Sequence, residues 1–163
     1  MKNGKKIILI ALALVLVAST ILAFTGPGKW VPIKKGQTTA VQLGNAGVAF
    51  TNSFYAGTVN LYRMSDSGLH PPKYFTITQP LLRVKFYDKN WNKITNVTGA
   101  VYVYFILGRE EQAALRANRL QIAFYDEWNG GWKLCSTQAL DGYTRASCLI
   151  KQFGTYALMF RDP

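Results

Sequence analysis

From Val41 onward, short apolar runs alternate with turn residues at intervals of roughly 8–12 residues, the rhythm of an all-β domain. Thr58–Tyr62 sets Val59 and Leu61 on one side. Leu81–Tyr87 sets Leu82, Val84 and Phe86 against Arg83, Lys85 and Tyr87, and Leu120–Tyr125 aligns Leu120, Ile122 and Phe124. This period of two belongs to strands buried on one face. Thr38–Leu43, Val48–Thr51 and Tyr74–Thr78 read as further short strands, with a break at Pro80. Ala100–Leu107 is apolar on both faces, which predicts a central strand. Trp132–Gln138 and Tyr143–Ile150 flank Leu140-Asp141-Gly142, and Gly154–Phe160 is the closing strand. Arg109–Asn118 is the one stretch of helix formers, with Glu110 and Glu111 at its start and Arg116 near its end, matching the helix dipole. The predicted fold is mainly β: an antiparallel β-sandwich with one short inserted helix (about 109–118), preceded by an N-terminal hydrophobic helix.

That first helix is the apolar run Ile7–Phe24, interrupted only by Ser19 and Thr20 and preceded by Lys2, Lys5 and Lys6. Its length lies between a signal-peptide core and a membrane span. Residues 1–25 therefore read as a signal peptide or an N-terminal membrane anchor. The clustered lysines predict a cytoplasmic N-terminus and export of the rest of the chain. The first cysteine is Cys135, so no lipidated N-terminus is expected. Residues 26–36, rich in Gly, Pro and Lys, read as a linker with an edge strand at Trp30–Ile33. Residues 37–163 form the β-sandwich domain. The expected location is extracellular, or membrane-anchored through residues 7–24 with the C-terminal domain outside.

Charge sharpens the expected partners. The chain carries +11, and beyond residue 25 the balance is 16 basic against 8 acidic side chains, or +8. Such a surface attracts anionic lipid headgroups or an anionic envelope polymer; another envelope protein is a further candidate partner. No basic run exceeds Lys34-Lys35. Nucleic acid has only net charge in its favour and is not expected for an exported domain. Exposed aromatics could stack on sugars or cations. Trp30, Tyr55, Trp91 and Trp128, near Lys29, Lys89 and Lys93, are the candidates, of which Trp30, Trp91 and Trp128 are the ligand-facing set. The alternative for these rings is ordinary core and hairpin cover.

Catalysis is not expected. His70, the single histidine, sits in a loop before Pro71-Pro72, and eight scattered acids supply no nucleophile, base and orienting group together. Glu110 and Glu111 are adjacent, and adjacent helical residues do not face one another. Two cysteines and one remote histidine make a metal site unexpected, and no cofactor motif is present. Asn96-Val97-Thr98 is a glycosylation sequon.

The cysteines allow two readings. If Asp141-Gly142 forms a two-residue type I′ turn, Cys135 and Cys148 lie opposite each other on a non-hydrogen-bonded site, where a disulfide fits. A three-residue turn instead places Trp132, Leu134, Cys148 and Ile150 on one core face and separates the sulfurs, leaving free buried thiols.

Tyr125-Asp126-Glu127, Trp132-Lys133-Leu134, Ala146–Ile150 and Gln152-Phe153-Gly154-Thr155-Tyr156-Ala157-Leu158 carry a family resemblance. This part of the chain, roughly residues 100–160, resembles the end of a β-sandwich family found in ankyrins, netrin receptors and their exported bacterial relatives. More distantly it is similar to the autoproteolysis-inducing (GAIN) domain of adhesion receptors. Some members cut their own backbone at a His-Phe-Ser or His-Leu-Thr/Ser step, using a hydroxyl nucleophile and a neighbouring base. The resemblance implies that the corresponding positions here are Gln152, Phe153 and Gly154. Glutamine offers no base and glycine no nucleophile, so the fold is expected without the self-cleavage.

Overall fold

The computed structural model describes residues 28–65 and 68–162; the predicted hydrophobic helix at 7–24 lies outside them. Among the described residues the elements are, in chain order, β1 (Lys29–Ile33), β2 (Thr39–Leu43), β3 (Ala46–Thr51), β4 (Gly57–Met64), β5 (Phe75–Ile77), β6 (Leu81–Asp88), β7 (Lys93–Ile94), β8 (Ala100–Ile106), α1 (Arg109–Arg116), β9 (Leu120–Asp126), β10 (Gly131–Leu134), β11 (Thr137–Leu140), β12 (Arg145–Leu149) and β13 (Thr155–Arg161). They make two antiparallel sheets. The larger has the order β1-β4-β6-β13-β9-β10, with β5 beside β13 and β7 beside β6; the smaller runs β11-β12-β8-β3-β2.

The alternation read from sequence is what joins the layers. Val59, Leu61, Val84, Phe86, Ile122 and Leu158 of the larger sheet share one core with Val48, Phe50, Val103 and Phe105 of the smaller. Phe50 and Phe86 meet across the interface at 5.8 Å. β8 is central in its sheet, as its two apolar faces predict. β13 is flanked by β6 and β9, so the closing strand lies inside the larger sheet. Segment 26–36 supplies β1, which pairs with β4 from Lys29↔Leu61 to Ile33↔Gly57.

Helix α1 ends at Arg116, two residues short of the predicted Asn118. Asn118 takes φ +54°, the left-handed turn that ends many helices, and Arg119 N–H closes on the Ala114 carbonyl at 2.8 Å. Glu111 is a structural carboxylate. It accepts from the Gly108 N–H (2.8 Å), the one half of a capping box that a glycine N-cap allows, and from Gln79 Nε2 at 3.0 and 2.8 Å.

Two expectations at the C-terminal hairpin are corrected. Trp132–Gln138 is not one strand: β10 pairs with β9 in the larger sheet, whereas β11 pairs with β12 in the smaller. The crossing occurs at Cys135-Ser136. There the Thr137 hydroxyl accepts from the Ile122 N–H (2.7 Å) and donates to the Cys135 carbonyl (3.3 Å), standing in for a missing ladder partner. The turn is also longer than Asp141-Gly142. Leu140 pairs with Arg145, leaving a four-residue loop with positive φ at Asp141, Gly142 and Tyr143. The Asp141 carboxylate holds Arg145 at 3.4 Å. The residue opposite Cys148 is therefore Thr137 rather than Cys135. The alternative core face fails as well, because Trp132 packs on the outer surface of the larger sheet and Leu134 is half exposed.

That outer surface carries a second apolar cluster of Leu81, Ala123, Ala157 and Met159, covered by Leu69, Phe75, Ile77 and Trp132. The polar loop at His70 belongs to this cover: its carbonyl accepts from Trp132 Nε1 at 2.8 Å.

Candidate functional site

At the bend before β13, Gln152 forms an isolated bridge to Asn96 and its side chain is exposed. The Gln152 carbonyl accepts from the Tyr156 hydroxyl. Phe153 N–H donates to the Thr95 carbonyl at 2.7 Å, and the ring stacks on Phe86 at 5.3 Å and 18°. Gly154 lies against a ring: a Cβ added there would stand 2.7 Å from Phe124 Cε2. The Thr155 hydroxyl is buried and accepts from Arg83 Nε at 3.2 Å. A serine at 154 would have to displace Phe124, which itself packs on Tyr156 at 5.3 Å. Overpacking of this kind costs about 1–3 kcal/mol. Gly154→Ser is thus expected to lower the urea midpoint and to produce no cleavage; an unchanged midpoint would show that the ring has room to move.

Cys135 and Cys148 are free thiols, half-buried and buried respectively. They are nevertheless neighbours, brought together by the sheet crossing rather than by a hairpin ladder. A hydrogen bond from the Cys148 thiol pulls Cys135 below the usual thiol range. The same contact, with burial, pushes Cys148 up. Tyr156 is close to both: burial first, and then the two sulfurs, raise its hydroxyl well above the ordinary tyrosine range. Among the described residues no group of three or more His, Cys, Asp or Glu is arranged to hold a metal ion.

The third arrangement is an aromatic and cationic surface on the outside of the larger sheet. The registers β1–β4–β6–β7 place Trp30, Asn60 and Lys85 in one row, and Pro32, Thr58, Tyr87 and Lys93 in the next. Trp30 and Tyr87 are 5.6 Å apart, Tyr87 and Trp91 6.0 Å, and Trp30 and Trp91 6.1 Å. Trp30 is 50% exposed and Trp91 65%. The turn that presents Trp91 is built by Asp88. Its carboxylate accepts from the Asn90 N–H (2.8 Å), the Asn92 N–H (2.9 Å) and Asn92 Nδ2 (3.0 Å). These bonds, led by the Asn92 side chain, hold its carboxyl below the usual carboxylate range. Trp91 takes φ +64° within the turn.

Beside the rings lies a shallow groove of about 390 Å³, lined by Lys34, Lys35, Gly57, Asp88, Lys89 and Trp91. Phe54, 58% exposed in the loop before β4, has Lys35 Nζ 5.4 Å from its centroid but packs on Tyr55 rather than on these rings. Lys85 Nζ lies 5.3 Å from the Tyr62 ring. The three salt bridges among the described residues, Arg83–Glu127, Lys133–Asp126 and Arg145–Asp141, use none of these lysines. Asp88, the groove's acid, is occupied by its own turn.

The structure thus gathers Trp30 and Trp91 with Lys89 and Lys93, and leaves the other predicted residues elsewhere. Trp128 is 94% exposed in the β9–β10 turn, outside the cluster, where its N–H donates to Asp126. Tyr55 packs inward on Phe86 and Phe153 at 5.1 and 5.9 Å. Lys29 reaches across to the Gln42 carbonyl of β2 at 3.1 Å. Tyr87, Lys34 and Lys35 join the surface without being candidates from sequence. The alternation of Leu81–Tyr87 does contain the signal for Tyr87, since it opposes the core residues Leu82, Val84 and Phe86.

The described part of the chain is a mainly β domain of two antiparallel sheets with one aromatic, lysine-ringed outer face. The chain matches no protein-family model and no curated protein sequence. Among the described residues, no helix is long and apolar enough to cross a membrane.

Proposed function

We propose that this chain is a non-enzymatic module of the cell envelope, exported or membrane-tethered through a hydrophobic helix at 7–24. Its binding face is the Trp30–Tyr87–Trp91 surface, and the face takes an anionic partner. The carrying observation is the conjunction of clustered, exposed rings, tilted or edge-on to one another, with Lys34, Lys35, Lys85, Lys89 and Lys93, while the groove's own carboxylate is held in its turn. Exposed aromatic rings on a stable domain mark binding surfaces, and unneutralised cations select the sign of the ligand. The bend at Gln152-Phe153-Gly154 supports a chain that stays intact. A carbohydrate would use the same rings for stacking, and the lysines favour one bearing acidic groups.

Two measurements test this reading. The full chain on a denaturing gel is expected to show no fragments divided between Phe153 and Gly154. On immobilised heparin it is expected to be retained at physiological salt and to elute earlier as a Lys34→Glu/Lys35→Glu/Lys89→Glu variant, because exposed charges are screened within about 8 Å at that ionic strength. Equal retention of the two forms would show that this face does not bind the polyanion.

A further inference from the structure

Resting on that binding face, we infer that its occupant is the anionic headgroup surface of the membrane in which residues 7–24 are held. Two independent features of the molecule converge on this assignment.

The first is where the chain enters the fold. Gly28 lies against the outer surface of the larger sheet: a Cβ added there would stand 2.8 Å from Tyr62 Cε1 and 3.2 Å from Asn60 Nδ2. Asn60 shares its row with Trp30 and Lys85. The first described residue therefore lies two positions before Trp30 at the start of the same edge strand. The apolar run ends at Phe24, four residues before Gly28. Those residues span at most about 14 Å when fully extended. A bilayer adds about 5–8 Å of headgroup region outside its hydrocarbon core. With the apolar run in the membrane, Gly28 stands at most about 6–9 Å beyond the headgroup region, so the start of β1 and Trp30 beside it are held close to the lipid.

The second feature is the chemistry of the face. Trp and Tyr are the side chains that settle at the headgroup level, with an apolar ring and a polar edge. Trp30, Tyr87 and Trp91 supply this on one surface. Lysines beside them gain from the negative potential of acidic lipids, which favours each cation near the surface. Lys34, Lys35 and Lys89 line the same groove as Trp91. A soluble anionic glycan would meet the same chemistry, but nothing in its binding would require the apolar run to end only four residues before the strand that carries Trp30.

The test uses the full chain reconstituted in phosphatidylcholine vesicles with and without phosphatidylglycerol, both containing lipid brominated near the headgroup end of its acyl chains. In the anionic vesicles tryptophan emission is expected to be quenched, and Trp30→Phe/Trp91→Phe to lose most of that quenching. Both rings are exposed, so the substitutions leave the core untouched. Leu149, half exposed on the outer face of the opposite sheet, serves as the control: Leu149→Trp is expected to add only unquenched emission. Lys34→Glu/Lys35→Glu/Lys89→Glu should weaken quenching while the anchor holds the chain on the vesicle. Quenching unaffected by removing Trp30 and Trp91, or shared equally by Leu149→Trp, overturns the inference. If the face then still binds heparin, the binding-face reading survives with a soluble polyanion as its occupant; loss of both signals removes both.

Discussion

Phe153→Ala is expected to destabilise the domain by about 3–5 kcal/mol, the range for deleting a buried phenylalanine. Phe153 is 6% exposed and makes ring contacts in both sheets. It stacks on Phe86 at 5.3 Å, meets Tyr55 edge-on at 5.9 Å, and approaches Phe50 of the smaller sheet at 6.3 Å. Its N–H is fixed to the Thr95 carbonyl, so the backbone cannot easily close over the space left behind. The cavity term therefore adds to the lost transfer term. Urea titration should show a lower midpoint with an unchanged slope. Phe153→Leu, closer in volume, should cost less than about 1.5 kcal/mol if the site repacks. A loss below about 1 kcal/mol for the alanine variant, well short of the range for a buried ring, would contradict the central place given to this residue.

Oxidation of Cys135 and Cys148 is expected to give the second largest effect. The two thiols are neighbours, and the contact with Cys148 lowers Cys135 below the usual thiol range. A disulfide oxidant in an export compartment would take two electrons and two protons from the pair and leave one sulfur–sulfur bond. Closing a loop of this length contributes roughly 3 kcal/mol in the chain-entropy account. Protein recovered from such a compartment should be two hydrogens lighter before reduction than after. Its denaturation midpoint should fall on adding dithiothreitol, and Cys148→Ala should abolish that difference. An identical intact mass with and without reductant would sink the pairing.

What a sequence reveals depends on how local the determinant is. The strands β4, β6 and β9 are readable because alternation is a property of consecutive residues, and the core faces they form are those observed. The helix is readable for the same reason, apart from its end, where a left-handed Asn118 stops it. The crossing at Cys135-Ser136 is hidden because residues on either side each look like strand; only their partners, β9 on one side and β12 on the other, tell the halves apart. The two-residue β7 has no pattern of its own and exists through its pairing with β6. The candidate face is half readable. Trp30 and Trp91 are evident as residues, but their meeting at 6.1 Å depends on the β1–β4–β6 register and on a turn organised by Asp88. Trp128, just as conspicuous in sequence, stands outside the cluster.

The interior position of β13 has a consequence for the proposed export of the chain. β6 and β9 are separated by this strand alone, and each pairs with it. In the proposed export the N-terminus stays in the cytoplasm and the segments after it cross in chain order, so both strands present an unpaired edge until residues 155–161 have crossed. Open edges invite pairing with other chains, and contacts this distant in sequence form slowly. Translocation would therefore be complete before the larger sheet can close, which keeps the chain loose during threading and concentrates its vulnerability to aggregation in the interval just after release.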